Sequence, residues 1–247
     1  MDRKYWEKIA PDYNKEIFDV LKNDSRGIII SAIRRFSSKR KTVADAGCAI
    51  GKWLPLLSPL FKKVYAFDIS AKNLAIARRL YPQFANIEYY RTDMSDPKAK
   101  ITSCDVAVCI NAILSGSLQQ RVAFFRNLKK CVRKKGHLVL VVPSLESSLF
   151  VSIIRQRWNP DKDAHAFISK SNKHKQFKNI LQGNVDIDGV PHKHYLKEEL
   201  QLLLEQEGFT AKKFQKIEYN WDTEFLKPPA WLKGPRPWDW MVVAQKG

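Results

Sequence analysis

The residues best suited to chemistry lie in the run Val43-Ala-Asp-Ala-Gly-Cys-Ala-Ile-Gly51 and at Asp68, which ends the apolar stretch Val64-Tyr-Ala-Phe-Asp68. The first run reads as a buried strand that breaks into a small-residue turn and opens a helix over Lys52 to Ser58. A glycine turn after one strand and an acid at the tip of the next is how a doubly wound sheet holds an adenosine-type ligand. Glycines let the backbone approach the ligand, and the carboxylate accepts from both ribose hydroxyls. A dinucleotide site wants G-x-G-x-x-G with a pyrophosphate at the helix N-terminus. Here the spacing is Gly47-x-Ala49-x-Gly51, and Asp45 stands two residues before the first glycine. That carboxylate would repel a pyrophosphate and suits a cationic amino acid. S-adenosylmethionine (SAM) carries a sulfonium and an ammonium and no phosphate, so the local charge favours it.

Positioning such a turn takes a parallel sheet with crossover helices, and the pattern supplies one. Strand-like and helix-like segments alternate over Thr42–Ala46, Lys52–Leu57, Lys63–Asp68, Ala71–Tyr81, Ile87–Thr92, Val106–Ile110, Gln119–Val132 and His137–Val142. Ser70 is a good cap for the helix at Ala71. The order breaks after Pro143. A helix over Ser147–Arg157, a polar stretch from Asn159 to Lys178 and a turn-like Gly183–Gly189 follow, and 144–195 reads as an insertion that caps a substrate. The Lys197 helix stops at Gly208, and Phe209–Trp221 and Trp238–Gln245 read as strands around a stiff proline-rich loop. Upstream, Tyr5 to Lys22 is an amphipathic helical stretch interrupted at Pro11, and Arg26–Phe36 is a helix leading to the first strand.

The turn resembles motif I of the class I SAM-dependent methyltransferases, D-x-G-C-G-x-G, with Ala49 where that family normally has glycine. The resemblance covers most of the chain. Asn86-Ile-Glu-Tyr-Tyr-Arg-Thr-Asp93-Met94 looks like the third strand, Cys104 to Asn111 the fourth, and Lys135-Gly136 to Pro143 the fifth strand and its entry turn. It implies one α/β domain over 1–247 with a doubly wound, Rossmann-like seven-stranded, mostly parallel sheet and an antiparallel last strand. Residues 1–25 would be a lid over the cofactor, as in small-molecule methyltransferases. By the same resemblance Asp45 and Gly47 face the amino-acid part of SAM. Cys48, Ala49 and Gly51 shape the turn, Asp68 binds the ribose, and Ile69 packs on adenine. Asp93 and Met94 hold the adenine edge, Asn111 lies near the methyl group, and Tyr13 belongs to the lid. Asp93 reads equally well as a cap before Ser95-Asp96, and Asn111 as a strand end. No N-P-P-Y follows the fourth strand. Ile113 and Leu114 there imply an apolar pocket floor, with Tyr5, Trp158 and His165 as further acceptor contacts.

A general base is not legible in the motifs. The candidates lie in the insertion, His165, His174, His192 and His194, with His192 and His194 just before the Lys197 helix favoured, because imidazole titrates near neutrality; an exposed loop pair is the competing reading. No ligand spacing points to a metal. Hydrophobic residues make up 45% of the chain, enough for a full core, and there is neither a membrane-length apolar run nor a signal-type N-terminus. The four cysteines read as buried thiols in a reducing, cytoplasmic compartment. Net charge is +18. Its bases cluster at Arg34, Arg35, Lys39, Arg40 and Lys41 and again from Arg121 to Lys135. In the expected fold both clusters lie away from the ligand crevice, which favours a solvated face over a nucleic-acid surface. The reading is therefore methyl transfer from SAM to oxygen or nitrogen of a small-molecule or biosynthetic acceptor. An RNA (tRNA) methyltransferase, a peptide-modifying enzyme and a non-catalytic SAM-binding protein are the alternatives.

Overall fold

The computed structural model describes residues 2–158, 181–187 and 189–247. Short helices α1 (Arg3–Ile9), α2 (Tyr13–Glu16) and α3 (Val20–Asn23) precede α4 (Ile28–Phe36). Then come β1 (Ser38–Ala46), α5 (Leu54–Leu60), β2 (Phe61–Asp68), α6 (Ala71–Leu80), β3 (Ile87–Arg91) and β4 (Cys104–Ile110). The chain continues through α7 (Leu118–Cys131), β5 (Val132–Pro143), α8 (Leu145–Trp158), β6 (Asn184–Ile187), β7 (Val190–Lys193) and α9 (Lys197–Gln206). It closes with β8 (Phe209–Glu218) and β9 (Trp238–Lys246).

The main sheet has seven strands in the order β3-β2-β1-β4-β5-β9-β8. The first five are parallel, and β9 runs antiparallel between β5 and β8. The parallel strands are those the alternating pattern predicts, and the antiparallel last strand is the one the resemblance implies. The strands are apolar on both faces because helices cover both. Leu138, Leu140 and Val142 of β5 join one core layer, and Val139 and Val141 join the other. Ser70 caps α6, accepting from Asn73 N at 3.1 Å.

Three local departures have physical causes. The first helix after the turn starts at Leu54 rather than Lys52, because Gly51 still holds a left-handed backbone, φ +83°. β1 extends back to Ser38 across a register shift between Ser38 and Thr42. Within the insertion, β6 and β7 form an antiparallel hairpin where the sequence shows only a turn. The stretch from Asn159 to Lys178, with His165 and His174, lies outside the described residues. Among the described residues no helix is long and apolar enough to cross a membrane.

The hairpin is fastened to the sheet. Lys193 N donates to Leu114 O at 2.9 Å, His194 N to Gly183 O at 2.8 Å, and Tyr195 OH to Ile113 O at 2.9 Å. Lys193, 2% exposed, pairs its ammonium with Glu199 of α9 at 2.6 Å and donates to Gln182 O. The hairpin therefore stands against the segment that leaves β4.

Candidate functional site

The parallel strands end in a cavity of about 550 Å³. Its floor begins at the turn after β1. Gly47 N and Cys48 N both donate to Phe67 O, at 2.8 and 2.9 Å, and Ala49 N donates to Asp68 Oδ2 at 2.9 Å. The turn is thereby bonded to the tip of β2. Gly47 has φ +82°, and a Cβ there would collide with that of Ala112. At Gly51 a Cβ would stand 2.6 Å from Leu54 Cδ1. Ala49 has φ +48°, a left-handed conformation that glycine adopts without cost and alanine does not.

Asp68 is 7% exposed and lines the cavity. Its Oδ1 accepts from Ser70 N at 2.8 Å and Asn73 Nδ2 at 3.3 Å, beside the Ala49 bond to Oδ2. Burial pushes its carboxyl above the usual range while those donors pull the other way. Asp45, 2% exposed, sits beneath the turn with Oδ2 unpartnered. Burial, and then the Asp68 charge, raise its carboxyl to about 7. A cationic group arriving at the turn would relieve both acids, so the donor set fits the ammonium and sulfonium of SAM and opposes a phosphate.

Of the residues the sequence assigns to the cofactor, Tyr13, Gly47, Ala49, Asp68, Ile69, Asp93, Met94 and Asn111 all line this cavity. Asp45, Cys48 and Gly51 do not; they support it from below. Asp93 does two things at once, since it faces the cavity and its Oδ1 accepts from Ser95 N at 2.8 Å and Ser95 Oγ at 2.6 Å. Asn111 has φ +47° and donates Nδ2 to Asp239 Oδ2 at 2.8 Å, where Tyr219 OH also donates at 2.8 Å. Burial raises Asp239 to about 6, against those two hydrogen bonds.

Ile113 and Leu114, read from the sequence as an apolar pocket floor, line the same cavity. Tyr5 and Trp158 are not on its wall. Tyr5 packs edge-on against Trp6, which is, and Trp158 packs against Trp231 with ring centroids 5.8 Å apart. His192 and His194 are off the wall too. His194 is 9% exposed, its Nδ1 hydrogen-bonds Ser148 Oγ at 2.6 Å, and burial lowers it to about 4. It is a neutral ring packed between the hairpin and α8, because the chain just past β7 is held by the His194 N bond to Gly183 O and the ring by Ser148. The Nδ1 of His192 bonds Val190 O at 2.9 Å, and its backbone bridges to Ser115.

Helix α1 closes one side. Glu7 accepts from Ala71 N at 2.8 Å and Lys72 N at 3.2 Å, so its carboxylate sits on the N-terminus of α6. This brings Arg3, Lys4 and Trp6 to the cavity. Sequence reasoning missed these, and it missed Gln120 and Arg121 on the first turns of α7. The i, i+3 and i+4 spacing of Arg121, Phe124 and Phe125 was the available signal, since it puts Arg121 on an apolar face. Arg121 thus departs from the expectation that both basic clusters lie away from the crevice, and the rest of those clusters lies at the other edge. Lys39, Arg40 and Lys41 enter β1, Arg133 to Lys135 enter β5, and Phe36 stacks on His137 at 4.1 Å between them.

Residues 43–136 match the family model described as a methyltransferase domain. The chain is similar in fold to several solved structures. One is a SAM-dependent methyltransferase from Methanosarcina mazei, 18% identical, covering 87% of this chain and 96% of that one, TM-score 0.62. Another is a SAM-dependent methyltransferase from Anabaena variabilis, 14% identical over 99% of this chain and 93% of that one, TM-score 0.65. A third is the N-methyltransferase NodS from Bradyrhizobium japonicum in complex with S-adenosyl-L-homocysteine, 14% identical over 99% and 97%, TM-score 0.62. At these identities the likeness is one of fold. No curated protein matches the chain.

Proposed function

We propose that the chain is a class I SAM-dependent methyltransferase acting on oxygen or nitrogen of a small-molecule acceptor. It works as one domain over 1–247, with 1–25 as a lid and 144–195 as a substrate cap. The observation that carries the reading is the cavity of about 550 Å³ shared by the SAM turn and the acceptor floor, and closed over by α1. That volume is of the size that takes a cofactor and a small partner. Solved N-methyltransferase NodS and a magnesium protoporphyrin IX methyltransferase from Synechocystis share the fold. The basic clusters at the opposite edge support a solvated face. The four cysteines, all buried and free, support a reducing, cytoplasmic setting.

SAM would supply a methyl carbon on a sulfonium for displacement by an acceptor lone pair, with the C–S electron pair staying on sulfur to give S-adenosylhomocysteine and the acceptor's proton passing to water. The chain's own residues align and dry this displacement. Asp45, beneath the turn, would offset the ammonium's charge, Asp68 would accept from the ribose hydroxyls, and Asp93 with Met94 would hold the adenine edge. Asn111, fixed by Asp239, stands at the methyl end. Ile113 and Leu114 keep water from the acceptor side.

Incubation with methyl-tritiated SAM, in parallel with a low-mass cell extract and with total RNA, tests the acceptor class. Label is expected in the low-mass fraction. Label confined to RNA would overturn the reading.

A further inference from the structure

Arg121 leaves the basic run to which it belongs in sequence. Its neighbours in that run, Arg126 and Arg133, are well exposed, whereas Arg121 is 7% exposed and lines the cavity. One guanidinium nitrogen donates to Ser115 O at 2.8 Å. No carboxylate of the described residues lies within ion-pair distance of it. Three acids share the cavity wall, and each is already engaged. Asp2 accepts from Tyr5 N, Asp68 from Ala49, Ser70 and Asn73, and Asp93 from Ser95. The nearest buried cation, Lys193, has its own partner in Glu199.

A buried guanidinium with one neutral acceptor is an uncompensated charge, and its desolvation is repaid only by an anion. Its planar fork fits the two oxygens of a carboxylate, phosphate or phosphonate. The surroundings add donors. Ser115 Oγ donates to Gln120 Oε1, which leaves the Gln120 amide NH2 as a donor on the same wall. Both residues begin α7, a helix of 14 residues whose N-terminal end is positive.

The place of Arg121 along the cavity decides which ligand it serves. Ser115, which it grips, bridges to His192 of the cap hairpin, and the adjoining Leu114 accepts from Lys193. This wall is built by the segment after β4 and the start of α7, with the cap hairpin bonded behind it, whereas the SAM turn is built by β1 and β2. We propose that Arg121, with Gln120, forms an oxyanion subsite for the acceptor, so that the methyltransferase takes a small molecule bearing a carboxylate or a phosph(on)ate. The inference rests on the SAM reading of the same cavity.

Calorimetry on the full chain tests it. S-adenosylhomocysteine is titrated first. Acetate, inorganic phosphate and neutral acetamide are then titrated at constant ionic strength, with and without the nucleoside. Failure of the first titration counts against the SAM assignment alone, because the anion titrations read Arg121 either way. The expected result is one-site binding of acetate or phosphate but not acetamide, weakened at least about tenfold in Arg121→Gln, with S-adenosylhomocysteine affinity unchanged within about twofold. Tighter acetate would assign a carboxylate acceptor, and tighter phosphate a phosph(on)ate. In the absence of anion Arg121→Gln is expected to melt no lower than the wild type, which a purely structural arginine would not show. Binding of neither anion, equal anion affinity in Arg121→Gln, or a matching loss of S-adenosylhomocysteine would overturn the proposal. If Arg121→Gln does not fold, Arg121→Lys replaces it, and unchanged anion affinity in that variant overturns the proposal in the same way.

Discussion

Replacing Asp45 by asparagine probes the electrostatics of the cofactor turn directly. Asp45 is 2% exposed, one carboxylate oxygen has no partner, and its pKa rises from 3.8 to about 7. Below pH ~4 the carboxyl is protonated in both folded and unfolded chains and has no effect on stability. Between pH ~4 and ~7 the unfolded chain ionises and the folded one does not, so stability falls as pH rises. Above pH ~7 the full cost is present, about 4 kcal/mol on that difference. An asparagine side chain carries no charge and escapes it. Thermal melts without ligand, from pH ~4.5 to ~8.5, should therefore show the Asp45→Asn chain gaining on the wild type steadily as pH rises, by up to about 4 kcal/mol. The same substitution should weaken SAM, because the ligand ammonium loses its counter-charge. Wild-type affinity should fall about tenfold per pH unit below ~7 as Asp45 protonates, and the asparagine variant should lose that dependence. A variant that is less stable than the wild type at the alkaline end of the series, or a gap that does not change with pH, would refute the placement of an unpaired carboxylate under the turn.

Other perturbations separate the remaining parts. Asp68→Ala should weaken S-adenosylhomocysteine binding by about 1–3 kcal/mol by calorimetry, and should also lower the melting temperature, because Ala49 N and Ser70 N lose their acceptor. Ala49→Gly removes a left-handed alanine and should leave stability unchanged or raise it by up to about 1 kcal/mol in urea titration, whereas the β-branched Ala49→Val should destabilise. Glu199→Gln strands the buried Lys193 ammonium and should cost about 3 kcal/mol or more, with the loss seen as earlier exchange of hairpin amides. Tyr219→Phe takes one of the two side-chain donors from Asp239 and should cost about 1–3 kcal/mol in chemical denaturation.

The sheet and the cofactor end of the cavity were legible because they are written locally. Val64-Tyr-Ala-Phe-Asp68 can only be a buried strand with an acid at its tip, and Gly47 and Gly51 mark the left-handed turn positions. The acceptor end is written in tertiary context. Arg121 hides in a basic run and is buried only because α7 turns it toward the segment after β4. His194 reads as a solvated loop residue until β7 carries it under α8 against Ser148. The β6–β7 hairpin consists of two four-residue strands, one holding Pro191, too short and too mixed to show a period of two. Trp6 shows an amphipathic helix, and only the docking of Glu7 onto α6 says what that helix covers.

The antiparallel insertion of β9 between β5 and β8 has a consequence for biosynthesis. Asp239, which orients Asn111, lies in the strand of the sheet that is translated last. A nascent chain that has finished every crossover still has an open slot in its sheet and a loose side chain at the methyl end. The cavity wall at Asn111 is thus completed only when that strand leaves the ribosome, so in chains cut short before Trp238 the Asn111 side chain would lack the acceptor that holds it.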